Sequence, residues 1–343
     1  MYTYKFIETL LSWEKWDLLN SNKNYNYKLF VAQEIIGIKK NIFYVDKIDY
    51  RLKPVIDIMS KLKLTSNIQE CDYILVPHSW VHIYKNNQYI NYLKKLSQEK
   101  PLLVVNTDDI SPSCKIQNTL EFRTFLHPKE NRFRKIIIPY PAMKKKSMIR
   151  NWKTKPLISF IGFVPDLSLG SLTSLSKSFI KSPIASSVYL NRKLGTYKLK
   201  KLKGDFTIKV IQRKSFTLQS SNINLLNHMN EYEENLRLSD YILCPRGFGN
   251  VSIRFYETIS SGATPILIDS GSELPIVSDS FFWENNIIKV KLFEDWRKKI
   301  LEDWSKLSYS DNYLIRQKEN INIFSSELDL QQYLELIFSK YLL

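Results

Sequence analysis

SDYILCPRGFGNVSIRFYETISSGATPILIDSGSELPIVSDSFFW, residues Ser239–Trp283, sets the architecture of this chain. An apolar run, Tyr241–Cys244, stops at Pro245, and a loop with two glycines follows, Arg246-Gly247-Phe248-Gly249-Asn250. A helix-like segment carries Arg254 and Glu257 and ends at Gly262; a second apolar run, Thr264–Ile268, leads to the turn Asp269-Ser270-Gly271-Ser272. The order predicts strand, Gly-rich loop, helix, strand: one βαβ unit. Unpaired N–H groups at the helix start favour an anion there. Gly247 and Gly249 can take positive φ and let the backbone approach a ligand closely. Arg246 and Arg254 each offer a permanently charged fork to phosphate oxygens. Glu257 falls on the same helical face as Arg254, one turn on, where its carboxylate can accept from the hydroxyls of a ribose. A two-Gly loop alone fits an ordinary βαβ turn as well as a nucleotide site; the two arginines and the glutamate at this spacing favour the nucleotide.

With 343 residues, 44% of them hydrophobic and 13% aromatic, the chain has enough apolar material for two folded domains. The formal net charge of +16 favours anionic partners, which include nucleotides, nucleic acids and acidic membrane surfaces. Three cysteines without CxxC spacing and only four histidines argue against a disulfide framework and a zinc site. No run approaches the ~20 apolar residues of a membrane span, and the N-terminus lacks the signal-peptide pattern, so a cytoplasmic location is expected.

In chain order, Phe6–Leu19 has helical apolar spacing, Leu29–Val31 and Ile42–Val45 read as strands, and Val55–Leu64 reads as a helix. Cys71–Val76 is an apolar run closed by Pro77-His78. Asn87–Glu99 is a helix. Leu102–Val105 is a strand followed by Asn106-Thr107-Asp108-Asp109, and Ile136–Ile138 repeats the pattern. The basic run Lys144–Lys155 reads as an exposed linker or domain junction. Beyond it, Leu157–Ile161 is a strand ended by Gly162, Ser171–Val188 is helical in part, Phe206–Ile211 is a strand and Glu231–Ser239 a helix. Ile287–Val290 is the last strand, and Glu294–Leu307 and Asp311–Leu343 are helical. Alternating strands and helices predict doubly wound α/β halves, whose ligands bind beyond the carboxyl ends of the strands.

The order strand–PRGxGN–R–xxE–SSGATPI–LP–W resembles the exostosin-like glycosyltransferases, family 47. Cys71–Pro77, Ile136–Pro141 and Lys155–Gly162 are similar to further segments of that family. The resemblance implies a GT-B fold: two facing Rossmann-like domains, 1–150 on the acceptor side and 151–325 holding the donor, with a helical C-terminal tail, 326–343, packing back on the first. It implies inverting transfer of a sugar from a nucleotide-sugar, with Arg246 and Arg254 on the diphosphate, Glu257 on the ribose, and Pro265 and Leu274-Pro275 at structural positions. The chain departs from the family around Leu103–Asp109, where a GRDH-like run is replaced by Val-Val-Asn-Thr-Asp-Asp.

An inverting transfer needs a base for the acceptor hydroxyl. Asp109, Asp108 and His78, beyond strand ends of the first half, are the candidates, with Asp166 behind them; helix capping explains the two aspartates equally well. Gly247, Gly249, Asn250, Gly162 and Arg213, with Arg246, Arg254 and Glu257, are the expected donor-binding set. Arginines and a helix N-terminus can hold the leaving nucleotide, so no metal and no cofactor are expected, the nucleotide-sugar, of UDP type, being a substrate. A glycan or lipid-linked glycan acceptor, for surface polysaccharide or lipopolysaccharide, and peripheral contact with the inner membrane face complete the expectation. Two rivals remain: a Rossmann oxidoreductase, which needs a GxGxxG that neither half shows, and a basic nucleic-acid binder, for which no recognisable module is present and no specific nucleic-acid partner is expected.

Overall fold

The computed structural model describes residues 28–31, 63–65, 68–76, 80–107, 112–126, 130–131, 133–165, 183–202, 204–213, 222–247, 249–278, 280–308 and 311–341. Two compact units emerge: one built from 1–141, 273–276 and 329–343, the other from 142–272 and 277–328. The expected helix Phe6–Leu19 and strand Ile42–Val45 lie outside the described residues.

The first unit is a six-stranded parallel sheet of β1 (Lys28–Val31), β2 (Lys63–Thr65), β3 (Tyr73–Val76), β4 (Leu102–Asn106), β5 (Thr119–Arg123) and β6 (Lys135–Ile137), in the order β2-β1-β3-β4-β5-β6. β3 and β4 are continuous apolar runs because both their faces are covered. On one side lies α1 (Asn87–Glu99), N-capped by the Asn86 side chain accepting from Tyr89 N–H; its Tyr89, Leu93 and Leu96 pack with Ile74, Val76, Leu102 and Val104. Another cluster joins Leu75, Leu103, Val105, Phe122 and Ile138 to Leu330, Tyr333, Leu334 and Ile337 of the last helix, α7 (Leu330–Tyr341).

Two expectations are corrected here. Of the helix expected over Val55–Leu64 only Lys63 and Leu64 fall among the described residues, and they belong to β2, pairing in parallel register with Lys28 and Leu29, where sheet pairing overrides local helical spacing. β5, Thr-Leu-Glu-Phe-Arg, was not expected as a strand at all. Its buried Glu121 and Arg123 break the apolar pattern but find partners within the unit: Asn106 Nδ2 donates to Glu121 Oε1 (3.0 Å), Cys114 N–H to Oε2 (3.1 Å), and Arg123 pairs with Glu130 (2.7 Å).

The second unit is a five-stranded parallel sheet of β7 (Leu157–Phe163), β8 (Thr207–Arg213), β9 (Tyr241–Cys244), β10 (Thr264–Ile268) and β11 (Ile288–Val290), in the order β11-β10-β9-β7-β8. Its helices are α2 (Pro183–Lys201), α3 (Asn222–Leu238), α4 (Ile253–Ser260), α5 (Trp296–Lys306) and α6 (Asn312–Ile323). α2 runs well past the helicity expected up to Val188, and α3 begins nine residues ahead of the expected Glu231. The core gathers Ile158, Phe160, Leu243, Ile266, Ile268, Trp296, Ile300 and Trp304. Gly195 lets α2 lie close on the sheet: a Cβ there would sit 2.6 Å from Ile268 Cδ1.

The basic run Lys144–Lys155 is exposed over most of its length and lies just past the boundary between the two units, but two of its cations turn inward. Lys145 and Arg150 are buried, and Arg150 is locked by Tyr313 Oη (3.2 Å) and the Arg237 carbonyl (3.0 Å), because Asp240, Glu257 and helix-end carbonyls in this unit attract its cations inward. Two doubly wound parallel-sheet units and a helical C-terminal region are the components of a GT-B fold, the class expected from the sequence.

Candidate functional site

In the second sheet the chain leaves β7, forms β8 on one side, then crosses back to form β9 on the other. The gap between β7 and β9 is therefore the topological switch point, where open α/β sheets leave a crevice beyond the carboxyl ends of their strands. Register records the parting. β7 pairs with β8 as far as Phe163↔Arg213, but with β9 only at Ile158↔Tyr241 and Ser159↔Ile242.

Past Ser159, side chains take the strand's free carbonyls. Arg254 Nη2 donates to the Ile161 carbonyl at 2.7 Å, and Arg192 Nη1 reaches the Phe163 carbonyl at 3.5 Å. Arg254 sits in the first turn of α4, where the Ser252 side chain accepts from its backbone N–H and starts the helix. Its guanidinium lies 4.8 Å from the Phe160 ring centroid and 5.8 Å from that of Tyr232, and Nε and Nη1 are buried with no hydrogen-bond partner among the described residues. Among the described residues no carboxylate pairs with it. A cation desolvated in this way, with donors unused, is costly unless an anion completes it.

Gly162 is what makes room: a Cβ there would stand 2.7 Å from Arg254 Nη2. Glu257 is 8% exposed and anchored at both oxygens, Oε2 accepting from the Tyr232 hydroxyl at 2.6 Å and Oε1 facing Lys145 Nζ at 3.2 Å. Burial, reinforced by the neighbouring Glu257 charge, holds the Tyr232 phenol well above its ordinary pKa, so it stays a donor. Arg213, at the end of β8, is engaged by the His228 carbonyl (2.9 Å) and Glu231 (3.1 Å).

Arg246 and Gly247 are half-buried after β9, with Arg246 Nε 3.4 Å from the Gly247 carbonyl; Gly249 and Asn250 are buried, and the Asn250 carbonyl accepts from Ser270 Oγ at 2.9 Å. In this stretch the described left-handed glycines are Gly262 (φ 80°), closing α4, and Gly271 (φ 69°), in the turn after β10. Gly162, Arg254 and Glu257 thus come together, with Arg213 one strand away. His78, Asp108, Asp109 and Asp166 lie outside the described residues.

Sequence reading missed Arg192, Tyr232 and Lys145. Helical spacing carried a signal for two of them. Arg192 shares a buried stripe with Val188, Thr196 and Leu199, and Tyr232 lies one turn before Asn235 and Leu236, which are buried against the sheet. Lys145 is read as a surface cation in any scan of a lysine run.

Among the described residues no group of His, Cys, Asp or Glu could hold a metal ion, and no helix is long and apolar enough to cross a membrane. No protein-family model and no curated protein matches the chain. Among solved structures it is similar to a glycosyltransferase from Rickettsia africae ESF-5, with 13% identity over 92% of this chain and 99% of that one and a TM-score of 0.37. It is also similar to the catalytic domain of starch synthase IV from Arabidopsis thaliana bound to ADP and acarbose (11% identity, 84% and 76% covered, TM-score 0.38). A third, S. aureus MnaA with UDP, is 11% identical over 92% and 96% of the two chains, with a TM-score of 0.31.

Proposed function

We propose that the chain is a glycosyltransferase that binds a nucleotide-sugar at the β7/β9 crevice and transfers the sugar to a glycan or lipid-linked glycan with inversion. The observation that carries this reading is Arg254: a guanidinium at the switch point, with two buried nitrogens that find no hydrogen-bond partner among the described residues and a glycine opposite it. Such a fork suits the phosphate oxygens of the donor, and the start of α4 and Arg246 add positive potential on the same side. Glu257, fixed by Tyr232 and Lys145, retains lone pairs for a ribose hydroxyl.

Chemically, a base removes the acceptor proton as the acceptor oxygen attacks the anomeric carbon and the sugar–phosphate bond breaks. The electron pair departs with the nucleotide, whose growing charge the arginines stabilise without a metal. Asp109, Asp108 or His78 supplies the base in this scheme. The resemblance of residues 239–283 to exostosin-like enzymes supports the inverting course, and the basic surface suits an enzyme acting on surface-polysaccharide intermediates at the inner membrane face.

The test is a panel of UDP-, GDP-, dTDP- and CMP-sugars in thermal-shift and hydrolysis assays. At least one should stabilise the protein, and Arg254→Ala should lower its affinity about 10- to 100-fold, the loss expected for charge-assisted hydrogen bonds. If no donor stabilises the wild type, or Arg254→Ala binds as the wild type does, the reading fails. Activity should persist in EDTA; its loss would overturn the metal-free course.

A further inference from the structure

The first unit carries a polar cavity of about 480 Å³ beside the start of β5 and β6, at the amino ends of its strands. Ligands of open α/β sheets bind beyond the carboxyl ends, so this cavity lies at the wrong end for a nucleotide crevice. Its size falls within the ~300–1,000 Å³ of small-molecule sites. Asn118 and Arg134, each the residue just before its strand, are both left-handed (φ 56°), a backbone state that costs a residue with a Cβ. Arg134 Nη1 donates to Asn118 Oδ1 at 2.7 Å, and Asn118 Nδ2 donates to the Ser97 carbonyl at 3.0 Å, so the two strand starts are tied together beside the cavity.

The buried lining takes hydrogen bonds. Thr119 is 7% exposed, and its Oγ1 lies beside the Cys114 thiol and meets no other hydrogen-bond partner among the described residues. Glu121 is 2% exposed; its two oxygens accept one N–H each, from Asn106 and Cys114, which leaves lone pairs for further donors. Burial pushes the Cys114 thiol up to about 11, so it adds no charge. The exposed lining is cationic. Among the described residues neither Lys115 nor Arg134 pairs with a carboxylate, whereas Lys135 is held by Glu130 at 3.4 Å. Phe133 beside them is 74% exposed, its ring 5.4 Å from the Arg134 guanidinium.

We infer that this cavity binds an acidic sugar unit, a uronate, as a saccharide site separate from the donor site proposed above. An inorganic anion would meet the charges of Lys115 and Arg134 but would also face Glu121. A neutral sugar would satisfy Glu121 and Thr119 but leave both cations to water. A uronate does both: its ring hydroxyls bond to Glu121 and Thr119, its carboxylate takes Arg134 and Lys115, and its apolar ring face covers Phe133. The inference goes beyond the transferase reading and does not depend on it.

The test is saturation-transfer NMR with titration of the full chain by glucuronate, glucose, acetate and glycine. Glucuronate should bind at least about tenfold more tightly than the other three, the gain of adding charge-assisted hydrogen bonds to neutral ones. Arg134→Asn, a residue that tolerates the left-handed backbone, should bring glucuronate down to the level of glucose while changing glucose less than about twofold. Thr119→Val should weaken both sugars about 3- to 10-fold. Lys115→Gln, at an exposed position, should weaken glucuronate alone and carries the comparison should Thr119→Val not fold. UDP should not displace glucuronate; displacement would put the sugar in a nucleotide site and overturn the assignment. Glucuronate bound no better than glucose, acetate or glycine, or not bound at all, would overturn it too, as would binding undiminished in all three variants. None of the four ligands is a nucleotide, so the donor reading stands or falls separately, on its own panel.

Discussion

Gly162 and Arg254 depend on each other at the scale of single side chains. An alanine at 162 would drive a methyl into the Arg254 fork, so Gly162→Ala should displace the guanidinium from the Ile161 carbonyl. We expect donor affinity to fall at least about tenfold and stability by ~1–3 kcal/mol, the usual range for overpacking, read by titration and by urea melts. Tyr232→Phe should instead leave the fold near wild type and release one oxygen of Glu257, raising the donor KM with a stability loss of about 1 kcal/mol. Arg254, Glu257 and Gly162 were legible because each stands beside a break in pattern: a strand end, a glycine, a helix start. Tyr232 and Lys145 were not. Their importance comes from meeting Glu257 across 25 residues or more of chain, which no local spacing records.

Asp240 does the corresponding work between elements. Its carboxylate accepts from Leu157 N–H (2.6 Å) and the Tyr313 hydroxyl, and faces Lys153 Nζ (2.8 Å) and Arg150 Nε (3.8 Å). It thus fastens the segment 142–156 to the start of β7, the end of α3 and α6. Asp240→Ala would leave Arg150 buried without its carboxylate and should cost ~3–5 kcal/mol, seen as a lower urea midpoint with little change in slope. The strands were legible as continuous apolar runs, because parallel strands are covered on both faces. β5 escaped because Glu121 and Arg123 are paid for only by partners elsewhere. Burial raises the Glu121 pKa despite those partners, so in the acid range the folded state takes up a proton before the unfolded one does. That makes the stability contribution of Glu121 increase as pH falls from neutral towards about 4.5. The wild type should therefore gain stability relative to Glu121→Gln between pH 7 and 5; a gap that widens in favour of the variant would contradict the assignment.

For the whole molecule, α7 is decisive. Encoded after the second unit, it fills the core of the first with Leu330, Tyr333, Leu334 and Ile337, and the Tyr333 hydroxyl donates to the Ile137 carbonyl at 2.9 Å. Leu334→Ala should cost ~2–5 kcal/mol and lower the melting temperature of that unit. The α/β class was legible from alternating strands and helices, while the partner of α7 depends on contacts nearly two hundred residues apart in sequence. Ribosomal synthesis turns that arrangement into a schedule. The strands of the first unit emerge early, yet their closing helix follows only after residues 142–328, a wait of roughly 10–40 s at ordinary elongation rates. During it the faces of Leu75, Val105 and Phe122 stay open on the nascent chain, so the unit encoded second is the one free to finish folding first, and the first must be sheltered until α7 emerges.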